Sequence, residues 1–284
     1  MNYTIPRVHR TTICFVAMAT LLFALPGYIH AQRGRGAQPP ATARAAAPID
    51  LTGYWVSIVT EDWIWRMTTP KKGDFGFGTT SPDAVRSSVP INDAARRAAL
   101  NWDPAKDEAE GNQCKWYGAA NIMRVPGRLH ITWENDNTLR IDTDAGTQTR
   151  LFQFGRPPAQ TGPRTWQGYS VAEWEGLSGW EQRNLGRLRP GLWGAAGEGP
   201  RAHLKVVTTG MKAGYLRRNG VPYSENAIIT EHFRRVTDPK GDTWLIITTL
   251  VEDSQYLVEP FLVSTNFKRI PDASGWNPTP CTAR

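Results

Sequence analysis

The stretch from Asn121 to Phe154 alternates apolar and polar side chains in short runs. Turn-forming residues separate these runs at Pro126-Gly127, at 134–137 and at Asp144-Ala145-Gly146. Strict alternation buries one face of each run and leaves the other in water, which is typical of antiparallel strands joined by tight turns. The stretch is therefore predicted to form a β-meander.

Strand patterns also occupy much of the remaining chain, with an Asn219-Gly220 turn and a short helix over Ala94 to Leu100 that Asn92-Asp93 caps. The other predicted strands are 51–60 continuing into 61–66, 165–174, 203–209, 227–236, 243–251 and 260–269. Roughly nine or ten strands without βαβ alternation predict an all-β domain. Because closure removes exposed sheet edges, we expect a single antiparallel β-barrel.

The first residues have the order of a secretory signal peptide. Arg7 and Arg10 precede an apolar run from Ile13 to Leu25, and the small residue Ala31 follows. This order predicts a leader over residues 1–31. The apolar run is short for a bilayer span, so an uncleaved anchor is the less favoured alternative. We expect an exported, soluble protein, periplasmic or secreted, with no membrane span after cleavage.

Composition divides the rest of the chain. Residues 32–49 are Arg, Gly, Ala and Pro with little to bury, which predicts a flexible linker. The barrel domain is predicted over 50–284. Within it, 67–89 and 178–201 interrupt the strand pattern and are expected to be long loops.

Charge adds little to the choice of partner. The chain has 33 Lys and Arg against 26 Asp and Glu, a net charge of +7. Loss of Arg7 and Arg10 with the leader lowers the excess to 5. The sequence has no basic amphipathic helix and no nucleic-acid-binding motif, so we expect a solvated basic surface and no nucleic-acid partner.

Cysteine usage agrees with export. Cys14 lies in the predicted leader, which leaves Cys114 and Cys281 in the mature chain. An even pair in an oxidising compartment predicts a disulfide between them. Two cysteines do not suffice for a cysteine-based metal cage.

The ends of the predicted barrel resemble those of a known family. Gly53-Tyr-Trp55 lies on the first strand and Asn266-Phe-Lys-Arg269 on the last. The pair resembles the lipocalin and calycin arrangement, in which a G-x-W tryptophan packs under a basic residue of the last strand. The resemblance implies a lipocalin-like barrel.

A broader resemblance covers most of the mature chain. It is carried by the blocks 122–127, 166–176, 220–225 and 230–233. These blocks are similar to those of uncharacterised exported bacterial β-proteins, a resemblance that implies no particular activity.

Pleat phase places three carboxylates on apolar or aromatic faces. Glu61 shares a phase with Trp55 and Trp63, Glu173 with Val171, and Glu231 with the apolar residues two positions on either side. Glu61, Glu173 and Glu231 are therefore candidates for paired general acid and base catalysis, as lyases, isomerases and glycosidases use. The commoner alternative is that each carboxylate meets an arginine or lies in water at a strand end.

Aromatic residues suggest a binding wall. The chain has 12 tryptophans, and aromatic faces bind flat apolar ligands or sugars. The predicted ligand contacts are Trp63, Trp65, Arg66, Trp174 and Tyr223. Packing of the core and loops is the alternative explanation for so many tryptophans.

The positions of the histidines in the sequence do not favour a metal site. The mature chain keeps His130, His203 and His232. Alternation directs His130 and His203 outward, so a three-histidine site is not favoured, and no metal or other cofactor is predicted.

Three functions follow from these observations. The first is an exported binding protein with a small, partly apolar ligand in a lumen lined by Trp and Glu. The second is an enzyme on the same barrel that uses paired glutamates on a carbohydrate or terpenoid-like substrate. The third is a structural or interaction module, which requires a filled core.

Overall fold

Eleven strands, three short α-helices and two 3₁₀ helices (Lys115–Tyr117 and Ile122–Arg124) make up the fold within residues 41–75, 89–155, 162–176 and 202–283, which the computed structural model describes. The predicted leader, all of the predicted loop at 178–201 and residues 76–88 of the predicted loop at 67–89 lie outside these residues. The strands are β1 (Gly53–Ile58), β2 (Arg128–Asn135), β3 (Thr138–Thr143), β4 (Thr149–Phe154), β5 (Tyr169–Glu175), β6 (His203–Thr209), β7 (Gly214–Tyr215), β8 (Pro222–Tyr223), β9 (Ile228–Thr237), β10 (Thr243–Glu252) and β11 (Phe261–Ile270). The helices are α1 (Trp63–Met67), α2 (Asp93–Leu100) and α3 (Pro104–Ala109).

Nine of these strands close into a barrel in the order β1-β11-β10-β9-β6-β5-β4-β3-β2. The predicted closed barrel is confirmed. The predicted meander supplies β2, β3 and β4, which pair in sequence as antiparallel neighbours. The short strands β7 and β8 form a separate two-stranded sheet, with the predicted Asn219-Gly220 turn between them.

One pairing in the barrel is parallel. Phe152–Phe154 of β4 pair with Ser170–Ala172 of β5 in the same direction, so the prediction of a wholly antiparallel sheet is wrong. Parallel neighbours need a connection that returns to the starting end of the first strand. The turn signals that predicted hairpins elsewhere do not determine this longer connection. We call the pairing of these residues the parallel seam.

The first strand is shorter than its aromatic sequence suggests. β1 ends at Ile58, and Asp62 then adopts a left-handed conformation with a φ of 49°. The helix α1 begins directly after it. The predicted extension of the strand through residues 61–66 is therefore wrong. Pleat phase does not apply to Trp63 and Trp65, which lie on a helix.

The predicted short helix is present as α2. Asn92 caps it, since its side chain accepts a hydrogen bond from the Ala95 amide at 3.0 Å. A second cap, at Asp103, begins α3 with Pro104 in its first turn. The sequence predicted one helix, whereas the described residues contain more than one.

Alternating side chains fill the barrel interior. Its largest buried members include Trp55, Phe152, Phe233 and Phe267. The guanidinium of Arg269 lies 5.8 Å from the centre of the Trp55 ring. Gly53, with a φ of 113°, leaves space for this arginine, because a Cβ there would lie 3.3 Å from its Nη2.

Residues before the barrel are held against it. Residues 41–284 belong to one compact unit. Ala43 donates to the Asn137 side chain at 2.9 Å, Arg44 donates to the Asp136 carbonyl at 3.0 Å, and Ile49 packs on the core. These contacts involve the last part of the segment that composition assigns to a linker. Among the described residues, the helices are too short or too polar to cross a membrane.

The predicted disulfide is confirmed. Cys114 and Cys281 are bonded, with their Cα atoms 5.1 Å apart and 167 positions apart in sequence. The bridge ties the C-terminal segment to the region before β2, and Thr279 of that segment also donates to the carbonyl of Asp144, in the turn between β3 and β4, at 2.9 Å. A loop of this length loses much conformational entropy in the unfolded chain when it is closed.

We expect that Cys281→Ser will lower the free energy of unfolding by about 2–5 kcal/mol, because the unfolded chain regains that entropy. Denaturant titration of the purified protein measures the change. Cys114→Ser should give the same loss, and a double replacement should give no more than either single one. An unchanged unfolding midpoint in all three variants would contradict the prediction.

Candidate functional site

The barrel interior contains a buried ion pair. Arg150 on β4 and Glu231 on β9 both have side chains with 0% exposure. The guanidinium donates to the two carboxylate oxygens at 2.9 and 2.6 Å. Bidentate pairing of this kind offsets part of the cost of removing both charges from water. The predicted burial of Glu231 with Ile229 and Phe233 is confirmed.

Hydroxyl groups extend this pair across the parallel seam. Arg150 also donates to Thr208 Oγ1 on β6 at 3.1 Å, and that oxygen lies 2.7 Å from Ser170 Oγ on β5. The network therefore joins β4, β5, β6 and β9. Both oxygens of Glu231 accept from the guanidinium, so the carboxylate is occupied by a structural contact.

Tyr223 on β8 is also an interior residue. Its ring has no exposed surface, and its hydroxyl has no hydrogen-bond partner among the described residues. Gly118 and Gly214 leave room for it, since a Cβ at either position would overlap the phenol. Burial raises the pKa of the hydroxyl, and the positive charge of Arg150 partly opposes that rise.

Glu61 and Arg66 meet where β1 passes into α1. Arg66 is buried, forms an ion pair with Glu61, and donates to the Arg124 carbonyl at 2.9 Å and to Ser57 Oγ at 3.1 Å. The adjacent Trp63 is 61% exposed and points away from this group. The predicted ligand contacts on α1 are thus divided between a buried network and open surface.

Two further arginines complete this network. Arg124 is buried and donates to Asp62 Oδ2 at 3.0 Å and to the Leu216 carbonyl at 3.1 Å. Arg217 lies over the Trp65 ring at 3.9 Å. Burial, with repulsion from Arg124, lowers the pKa of Arg217 to about 9. The described contacts of these guanidinium groups are with other residues of the protein. We therefore assign the arginines a structural role, which is to hold α1 against the loops that follow it.

Glu173 lies on the outer face of β5, and the expectation that it points into the lumen is wrong. Its side chain is 62% exposed and accepts from Lys205 Nζ at 3.0 Å, whereas the neighbouring Ala172 is buried. Alternation shows which residues share a face but not which face is buried. The three predicted carboxylates each pair with a different cation: Glu61 with Arg66, Glu173 with Lys205 and Glu231 with Arg150.

A cleft of about 440 Å³ opens where β5 continues beyond the parallel seam. The Trp174 indole lies at its wall, 5.4 Å from the Phe154 ring, and its Nε1 donates to the Ala43 carbonyl at 2.9 Å. We call this the Trp174 cleft. Its main lining side chains are those of Phe154, Val171, Glu173, Trp174, Lys205 and Val207.

His203 and His232 lie together on the outer face of the barrel, while His130 lies elsewhere. Their ring centres are 5.0 Å apart, and His203 Nε2 is 3.0 Å from Glu175 Oε2. His130 instead stacks on Tyr54 with ring centres 4.1 Å apart. Burial and then the neighbouring His203 lower the pKa of His232, which favours its neutral imidazole.

The sequence carried partial signals for the residues that were missed. Arg150 shares a pleat phase with Phe152 on β4, and that phase could have indicated a buried cation for Glu231. Lys205 alternates with buried neighbours on β6, and Glu175 continues the phase of the exposed Val171 and Glu173 on β5. Arg124 lies in the first run of the stretch predicted to alternate, which forms a 3₁₀ helix (Ile122–Arg124) and not a strand, so pleat phase could not indicate its burial. Arg217 lies outside the strands and had no comparable signal.

Comparisons with known proteins do not assign a function to these groups. No protein-family model matches the chain, and neither a curated protein nor a solved structure matches it. The candidate site is therefore defined by the contacts described above.

We expect that Glu231→Gln will lower the free energy of unfolding by about 3–5 kcal/mol, because it leaves the Arg150 guanidinium buried without a counter-charge. Denaturant titration measures the loss. Glu173→Gln is the matched control and should change stability by less than about 0.5 kcal/mol, since the Glu173 side chain is 62% exposed.

A double replacement tests the same explanation. Arg150→Met with Glu231→Leu removes both charges, so we expect a smaller loss than for Glu231→Gln alone. If Glu231→Gln unfolds at the same denaturant concentration as the unmodified protein, the pair is not what stabilises this part of the barrel.

Proposed function

We propose that this protein is an exported binding protein that holds a small, partly apolar ligand in the Trp174 cleft. The observation that carries the proposal is the pair of tilted rings, Phe154 and Trp174, at the wall of a cleft of about 440 Å³. Aromatic walls with a few polar groups are characteristic of small-molecule sites, and this volume is in their range. The Lys205 ammonium supplies a polar group at the edge.

The lipocalin-like resemblance supports a binding role but not the position predicted for the ligand. The contact between Arg269 and Trp55 agrees with the arrangement that the G-x-W resemblance implies. Large side chains such as Phe152, Phe233 and Phe267 fill the described interior. We therefore place the ligand in the Trp174 cleft, outside the lumen.

Export is supported by the disulfide. The bond between Cys114 and Cys281 is the kind of covalent link that persists in oxidising compartments such as the periplasm or the medium. It is consistent with the leader that the sequence predicts over residues 1–31. We propose a periplasmic or secreted location on these grounds.

Catalysis by paired glutamates has less support than binding. The enzyme hypothesis needs two carboxylates at one reacting group. Glu231 is buried against Arg150, Glu61 is paired with Arg66, and Glu173 lies on the outer face. These separate environments favour the binding hypothesis over the enzyme.

We expect that Val171→Glu will weaken binding of 8-anilinonaphthalene-1-sulfonate at least about tenfold, or about 1.4 kcal/mol. The new side chain places bulk and negative charge in the cleft against an anionic aromatic probe, and Val171 is exposed enough for the fold to be retained. Fluorescence titration measures the affinity.

Val258→Glu is the control, because Val258 is exposed and does not line the cleft. Trp174→Phe should keep most of the affinity that Trp174→Ala loses.

Native mass spectrometry of the protein from its own host, before and after denaturation, should show a releasable small molecule. Equal probe affinity in the Val171→Glu and Val258→Glu variants, with a clean apo mass, would reject this function.

A further inference from the structure

Three neighbouring strands bring two imidazoles and a carboxylate together on the outer face of the barrel. Glu175 on β5 lies directly opposite His203 on β6. His232 on β9 lies opposite Lys205 of β6, one diagonal step from His203. Side chains in direct and diagonal positions on one face of a sheet are close enough to interact.

The donor atoms of these side chains already converge. One donor atom from each of Glu175, His203 and His232 lies within 4.8 Å of the other two. His203 Nε2 and Glu175 Oε2 are 3.0 Å apart. We propose that Glu175, His203 and His232 bind a divalent transition-metal ion, with Zn²⁺ as the best match.

The donor set determines the class of metal. Imidazole nitrogens with a carboxylate oxygen suit zinc and similar first-row ions, whereas calcium and magnesium take sets of oxygen ligands. Around tetrahedral zinc, with bonds of about 2.0–2.2 Å, the donor atoms are separated by about 3.3–3.6 Å. Small rotations of the three side chains bring them to that separation, and the metal replaces the contact between His203 and Glu175.

The surrounding charges leave one carboxylate oxygen for the metal. Lys205 Nζ donates to Glu175 Oε1 at 2.9 Å and to Glu173 Oε1 at 3.0 Å. Glu175 Oε2 is the atom that faces the imidazoles. Two carboxylates and one ammonium give this group an excess of one negative charge when both histidines are neutral. Lys205 is also in position to orient the carboxylate, as partners of metal ligands commonly do.

The site keeps an open side. All three ligands are half-buried, and their backbones are fixed by pairing among β5, β6 and β9. Three protein ligands with solvent on one side leave a fourth coordination position for water or an external ligand. The site therefore has three protein ligands and one open position, the number found in metal sites that exchange an external ligand.

The test is a Zn²⁺ titration of the untagged protein by isothermal calorimetry, after chelator treatment and dialysis. We expect one equivalent to bind and to raise the melting temperature, since an ion that binds only the folded state stabilises it. His203→Ala and His232→Ala should each weaken binding at least about tenfold, as should Glu175→Gln. A Co²⁺ visible spectrum with tetrahedral intensity should appear in the unmodified protein and be lost in the same variants.

Two controls separate this site from non-specific binding. His130→Ala removes a histidine that stacks on Tyr54, and Glu173→Gln removes a carboxylate that contacts Lys205 but does not belong to the donor set. Both should retain the Zn²⁺ affinity of the unmodified protein. Failure to bind Zn²⁺, or binding that His203→Ala and His232→Ala leave unchanged, overturns the proposal. Because the probe is the metal alone, this result is independent of the ligand proposed for the Trp174 cleft.

Discussion

Closure of this barrel depends on the parallel seam between β4 and β5. The seam has three residue pairs, whereas β9 and β10 share ten. A short pairing contributes few backbone hydrogen bonds, so side-chain contacts must help to hold β4 and β5 together. The buried Arg150–Glu231 pair does this from inside, because its hydroxyl partners Thr208 and Ser170 extend it over four strands around the seam. A buried ion pair often adds little net stability, so we assign the Arg150–Glu231 pair the role of specifying which strands meet.

The same seam explains why the outer surface carries recognisable chemistry. β5 continues past the last paired residue of β4 and keeps its other edge on β6. Within the described part of the chain, β4 does not pair with β5 at Trp174, whose indole packs against Phe154 and donates to the Ala43 carbonyl. The cleft and the half-buried residues next to it form because β5 extends beyond the last residue that pairs with β4.

Local patterns predicted local structure well and non-local structure poorly. Alternation between 121 and 154 identified β2, β3 and β4, because hairpins depend on turn residues and period alone. The parallel seam depends on a connection between strands whose direction has no turn signal. The first strand ended at Ile58, and the left-handed residue Asp62 then directed the chain into α1, although Trp63 and Trp65 have strong β-propensity. Sharing of a face was predicted correctly for Glu231, but the same reasoning put Glu173 inside, because alternation alone does not say which face meets the core.

A filled interior changes where function has to be sought in such a barrel. Large side chains occupy the described lumen, which favours a site at an end of the barrel or on its outer face. Lys205 occupies a position of particular interest there, because its ammonium contacts Glu173 in the Trp174 cleft and Glu175 beside the two histidines. Because one ammonium contacts a carboxylate of each group, we expect a change in the charge around Glu175 to act on Glu173 through direct electrostatic contact.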